Sequence, residues 1–395
     1  MSTSYVEIKK KLQRKWITYL QKQTKITLKP TICGTSPPSV FVGSFGYPKV
    51  NVGPLLPPLH GDTMIYDTPE MWENKDIEDI LDYRLSMIHG ITKLNINNTT
   101  GRYIESLQEL AIASQSTDGE LTLEKNPRFS LSKDSMNRET IPSGPSSLLK
   151  SFKISSIQTD RKLEYYYYDK DLDSTNSIIE LYRKKVDISK IHRAMSLGML
   201  GIKKNRKLVP TKWSISATDD IISSYLKKQI EMYPTIDSFQ VIKYSHYSNH
   251  YSIILIPDDV WYFEMIEAWF DMNHKRFILE SDFENVRRID HYPKIAGAYF
   301  AAKLGVTEHL FKIKRRASVI IFREIKPTYE IPLGVWQIRE GIRKLFKKGI
   351  VLSFENFEDA LNNACSDFVV QKYYWLEKSS VYKNIRRQTR ISNFF

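Results

Sequence analysis

Cysteine is almost absent: the 395 residues carry only Cys33 and Cys365. Two thiols cannot build a disulfide framework or a cysteine-rich zinc site, so a reducing, intracellular setting is expected. Long apolar runs are missing too. Nothing approaches the roughly 18 apolar residues of a membrane span. The start, MSTSYVEIKKKLQRKW, is basic but lacks the apolar core of a secretory signal. A cytoplasmic protein with no membrane partner is expected. G-x-G-x-x-G, the Walker A spacing, G-x-S-x-G and H-E-x-x-H are absent, which leaves dinucleotide-binding, P-loop, hydrolase and zincin readings without support. Acid is scarce relative to base. Against 58 Lys and Arg stand 45 Asp and Glu, a net charge of +13. Such an excess favours polyanions, nucleic acid first and anionic membrane second, with a merely soluble basic surface as the bland alternative.

What is present reads as a mixed α/β (α+β), irregular, multi-segment globular fold with a flexible C-terminal peptide. Four regions are expected: a basic amphipathic helix within 1–28, a main mixed region over 29–280, a helix-strand-helix region over 281–380, and a tail over 381–395. The first helix puts Ile8, Leu12, Trp16, Tyr19 and Leu20 on one stripe; it is either a docked surface helix or an arm touching phosphates. In GTSPPSVFVGSFGYPKVNVGPLLPP, the pieces SVFV and KVNV read as strands separated by tight turns. Gly43, Gly46 and Gly53 there permit close backbone approach, to a strand or to a ligand. Residues 115–160 are polar and look loop-rich. VIKYSHYSNHYSIILIP reads as a hairpin turning at Ser248–Asn249, with His246 and His250 across it from one another; these and His291 read as structural histidines. GAYFAAKLGVTEHLFKIKRR reads as a helix, ASVIIFREI as a buried strand, and LGVWQIREGIRKLFKKG as a helix. The last has a core stripe of Val335, Ile338, Ile342, Leu345 and Phe346, with Arg339, Arg343 and Lys347 on another face.

Two stretches could carry chemistry. EYYYYDKDLDST, residues 164–175, reads as a tyrosine strand running into alternating acids. If extended, Asp169, Asp171 and Asp173 share a side and suit a hard cation, Mg²⁺ or Mn²⁺, while a solvated acidic turn is the plain alternative. KKNRKLVPTKWSISATDD, residues 203–220, mixes cations with an indole and hydroxyls. Lys203, Lys204, Arg206, Lys207, Thr211, Lys212, Trp213 and Ser214 suit a phosphate backbone with an unstacked base. Alternatively, Thr218 or Asp219 caps a helix beginning DIISSYLKKQI; both roles can coexist, because a helix N-terminus attracts phosphate.

In order along most of the chain come GTSPPSVFVGSFGYPKVNVGPLLPP, LQELAIAS, GMLGIKKNRKLVPTKWSISATDD, GAYFAAKLGVTEHL and REIKPTYEIPLGVWQIREGIR. Together these blocks resemble the archaeal Nre DNA-repair protein family. The ending QTRISNFF matches the clamp-binding box, Gln-x-x-aliphatic-x-x-aromatic-aromatic, that this family carries at its end. The resemblance implies a DNA-binding, DNA-repair protein that docks on the replication sliding clamp, PCNA, through this PIP-like box, and is nucleoid-associated. One tight turn gathers Ile391, Phe394 and Phe395 into an apolar plug, and Gln388 is left for a small polar pocket. Where many relatives begin with a cysteine-rich zinc segment, this chain has a basic helix, so no zinc finger is expected. Two readings stay open: a clamp-tethered metal-dependent nuclease acting on damaged DNA, or a non-enzymatic adaptor recruiting repair factors. In the first, Asp169, Asp171 and Asp173, or acids such as Glu109, Glu324 and Glu340, hold the ion.

Overall fold

Short strand segments rich in apolar and β-branched residues, each followed within three residues by Gly, Pro, Asn or Ser, build two sheets, and helices cover them. A computed structural model describes residues 10–11, 14–15, 18, 29–129, 142–271, 276–285, 289 and 291–387. Most of the expected N-terminal helix and all of Gln388–Phe395 lie outside the described residues. The chain divides into two compact units. One runs to Ile222 and takes in Pro332–Gly334; the other holds Ser223–Ile331 and the chain from Val335 onward.

The N-terminal unit contains β1 (Thr31–Ser36), β2 (Ser39–Val42), β3 (Lys49–Leu56), β4 (Ile88–Asn95), β5 (Thr117–Leu123) and β6 (Ser146–Ile154). They form one sheet in the order β1-β5-β6-β4-β3-β2. β4 and β6 run parallel and the other neighbours antiparallel. The strands expected at SVFV and KVNV are there, and β3 continues through Gly53 to Leu56. A Cβ on Gly53 would lie 1.6 Å from the Gly90 carbonyl oxygen, so this glycine serves strand packing. Gly46 has a φ of 84° and turns the β2–β3 hairpin. β5 and β6 correct the loop-rich reading of 115–160. β6 alternates between half-buried and exposed positions, so its sequence is polar although its backbone is paired.

Five helices follow or interleave: α1 (Ile77–Ser86), α2 (Arg102–Ala111), α3 (Arg161–Tyr168), α4 (Ser174–Arg183) and α5 (Ile188–Ser196). α3 replaces the expected tyrosine strand. Asp160 caps it, accepting from the amides of Lys162 and Leu163, and Leu163 and Tyr166 bury one face at helical spacing. α6 (Thr211–Ile230) also corrects the sequence reading, because it begins seven residues before Thr218. The Pro210 carbonyl accepts from Trp213 N at 2.8 Å and Ser214 N at 3.0 Å, starting the helix there. Thr218 and Asp219 lie inside it, buried.

The C-terminal unit holds β7 (Phe239–His246), β8 (Asn249–Ile256), β9 (Phe263–Asp271), β10 (Arg276–Glu284), β11 (Ser318–Ile325) and β12 (Val351–Phe354), in the order β10-β9-β11-β8-β7-β12. Residue 280, the expected regional boundary, lies inside β10. β11 runs parallel to β9 and antiparallel to β8. Its eight residues are all buried because helices cover both faces. On one face Ile254, Ile256, Ile266, Ala268, Ile320 and Phe322 meet α9 (Phe357–Cys365), α10 (Lys372–Lys378) and α11 (Ser380–Arg387). On the other, Phe263 packs edge-on to Tyr299 of α7 (Gly297–Ile313), and Tyr251 bonds Gln337 of α8 (Trp336–Lys348).

The β7–β8 hairpin turns at Tyr247–Ser248, one residue earlier than expected, with φ of 46° and 57°. His246 therefore pairs with Asn249, and Ser245 pairs with His250. The two histidines point to opposite faces rather than across at each other. On α8, the expected stripe is buried at Val335, Ile338, Ile342 and Leu345. Arg343 forks onto Glu308 of α7, with both bonds at 2.7 Å, and also holds Glu340.

Candidate nucleic-acid interface

The β2–β3 turn, residues 43–48, is knitted to the segment entering α6. Ile96 N donates to Pro48 O at 2.9 Å, and Leu208 N donates to Ile96 O at 2.7 Å. Val42 N donates to Thr211 Oγ1 at 3.0 Å, and Val209 N to Ser196 O at 2.8 Å. These bonds set residues 207–213 beside the turn. Across the junction Tyr47 meets Trp213 edge to face, with ring centroids 5.4 Å apart, and the Lys212 ammonium lies 5.9 Å from the indole centroid. Tyr47 is 52% exposed, Trp213 39% and Phe45, at the tip of the turn, 63%. Lys49 stands exposed where the turn ends. Sequence reading singled out Trp213 and missed Tyr47 and Phe45, because only the fold sets a β-turn against a helix start so far along the chain.

The cations at 203–207 divide into two kinds. Lys203, Lys204 and Lys207 are exposed, the first two on a 3-10 turn, Lys203–Asn205. Arg206 is turned inward. Its guanidinium donates to Gly201 O at 2.7 Å, to Tyr167 O at 2.8 Å and to Asp169 O, so it ties three carbonyls together. Two hydroxyls expected at the interface are also engaged in the fold. Thr211 Oγ1 accepts from Val42 N, and buried Ser214 donates to Thr211 O at 2.9 Å.

Two of the acids at 169–173, Asp169 and Asp173, act as local caps, and Asp171 is exposed. Asp169 accepts from Asp171 N and Leu172 N, each at 3.1 Å, and Asp173 caps α4 by accepting from Asn176 N at 3.0 Å. These amide bonds hold both carboxyls below the usual range. They do not lie along one extended backbone, since a turn separates α3 from α4. Glu109 lines a cavity of about 590 Å³ with Glu105, Glu164, Tyr167 and Tyr168. Burial, with Glu105 next, raises the Tyr167 phenol, which bonds Gln108. Glu324 is buried and accepts from Val370 N at 2.8 Å. Glu340 is occupied by Arg343. Among the described residues no three or more His, Cys, Asp or Glu side chains group closely enough to hold a metal ion. Of the histidines, His250 Nδ1 bonds Ser245 Oγ at 2.9 Å, and exposed His291 lies 3.8 Å from Asp282.

A family model described as Archaeal Nre, N-terminal, matches residues 10–274, and one described as Archaeal Nre, C-terminal, matches residues 284–394. The chain belongs to the archaeal Nre family. Among its Nre relatives, the DNA repair protein NreB of Archaeoglobus fulgidus is 36% identical over 370 residues, 92% of each chain. The DNA repair protein NreA of the same organism is 34% identical over 377 residues, covering 94% of this chain and 92% of its own length. NreA of Haloferax volcanii is 31% identical over 378 residues, 92% of this chain and 89% of its own. No solved structure matches this Nre chain significantly. Among the described residues, no helix is long and apolar enough to cross a membrane.

Proposed function

We propose that this Nre protein acts in DNA repair by binding DNA through Lys203, Lys204, Lys207 and Lys212, while Gln388, Ile391, Phe394 and Phe395 tether it to the PCNA clamp. The observation that carries the reading is the contrast within one short run: Lys203, Lys204 and Lys207 face solvent, while Arg206 alone among these cations is engaged by the fold. Exposed ammonium groups are what phosphate neutralisation needs; the acidic 169–173 turn adjoins them, where Lys203 N donates to Lys170 O. The names of the Nre relatives, DNA repair proteins, point the same way. Commitment of Asp169 and Asp173 to caps favours the recruiting reading over the nuclease.

Binding of a labelled oligonucleotide should weaken linearly with log salt. Lys203→Gln, Lys204→Gln and Lys207→Gln together should lower that slope by about 2 to 3, since each phosphate contact contributes about 0.7 to 0.9. A flat salt response overturns DNA binding. Incubation of single-stranded, duplex and forked DNA with Mg²⁺ or Mn²⁺ should leave the strands intact; turnover would restore the nuclease reading.

A further inference from the structure

We propose that Tyr47 and Trp213, flanked by Phe45, form a platform on which an unpaired base stacks, so that the ligand of this surface is single-stranded nucleic acid. The proposal rests on the DNA-binding reading above and adds to it the strand class and two residues, Tyr47 and Phe45. The first support is exposure: large rings that folding normally buries stand at 52% and 39% exposed, in contact with one another. The second is rigidity. The backbone bonds Ile96 N to Pro48 O and Leu208 N to Ile96 O fix both sides of the junction, so little ordering is needed on binding.

The third support is charge of one sign. Residues 43–49 and 207–213, which form the junction itself, contain Lys49, Lys207 and Lys212 and no Asp or Glu; the acidic turn at 169–173 adjoins the other end of the run, where Lys203 N donates to Lys170 O. A protein partner would ordinarily meet both signs at the rim, whereas a polyphosphate strand meets only cations. Exposed rings decide between strand classes. In a duplex the base faces are already stacked on their neighbours; an unpaired base offers its face to an aromatic ring. Lys212, whose ammonium lies 5.9 Å from the indole centroid, is placed to accompany the phosphate of the stacked nucleotide.

The test uses the full chain and fluorescence anisotropy with a labelled 15-nucleotide oligothymidine and a duplex of the same length, across a salt series. The single strand should bind about tenfold or more tightly than the duplex. Trp213→Ala and Tyr47→Ala should each weaken oligothymidine binding by about tenfold to a hundredfold, leaving its salt slope and the melting temperature unchanged. Trp213→Phe should retain most of the affinity. Equal affinity for both strands, or aromatic variants that bind normally while the lysine variants fail, overturns the platform and leaves DNA binding standing. Polyglutamate competing as well as oligothymidine would reduce the surface to a general polyanion site and also overturn it. Binding to neither strand would remove the DNA-binding reading itself.

Discussion

His89 of β4 is buried edge-on to Phe41, ring centroids 5.6 Å apart, and its Nε2 has no hydrogen-bond partner among the described residues. Burial, with the nearby Arg84 guanidinium second, pushes its pKa down from 6.5 to about 4. Between those values the unfolded chain binds the proton and the folded chain does not. Stability from this site is therefore complete above pH 6.5 and drains away as pH falls toward 4. At roughly 1.4 kcal/mol per unit the full loss is about 3 kcal/mol. Urea denaturation of His89→Gln should show a flatter pH profile over this window than the parent chain; an unchanged profile would place the titration elsewhere. The residue scale is also where sequence says least. Arg206 reads like its neighbours Lys204 and Lys207. Its carbonyl partners, on Tyr167 and Asp169, come from 39 and 37 residues away, and no local pattern announces them. Trp213 was legible as a candidate because an indole among lysines is unusual, whereas Tyr47 had no such company in its own segment.

At the scale of elements, period decides what was legible. β11 and α8 announce themselves through a continuous apolar run and a 3.6-residue stripe. α3 does not, since four consecutive tyrosines favour a strand until the Asp160 cap and the packing of Leu163 and Tyr166 prevail. The start of α11 depends on a residue 115 to 117 positions away. Buried Glu264 of β9 accepts from Ser379 Oγ, Ser380 N and Val381 N. Burial raises its carboxyl pKa, and these bonds oppose that rise. Glu264→Ala removes the acceptor for two helix-start amides and should cost about 2 to 3 kcal/mol, with Glu264→Gln costing less. Hydrogen exchange should report it as faster exchange at Ser380 and Val381. Protection equal to that of the parent would deny the cap its role.

For the whole molecule, the tail is the sharpest case. Deleting residues 388–395, or combining Phe394→Ala with Phe395→Ala, should abolish clamp binding and leave thermal stability and DNA affinity as they were. The apolar plug then contributes only to an interface on the partner. A tail packed on its own unit predicts the opposite, a melting temperature several degrees lower, because truncating a buried phenylalanine costs about 3 to 5 kcal/mol. Titration calorimetry with purified clamp, beside melting curves, separates the two. The two-unit division was not legible, because the split at Ile222 falls within one continuous helix and leaves no linker in the composition. The position of β11 governs, finally, the order in which the C-terminal unit can be made. The hairpins β7–β8 and β9–β10 are each closed by neighbouring residues, yet the strand that joins them is the last of the five to be synthesised. Until Ile325 leaves the ribosome, β8 and β9 each present an open, apolar edge, and a chain interrupted before Ser318 would keep both. A nascent chain is therefore at its most adhesive just before its sheet closes.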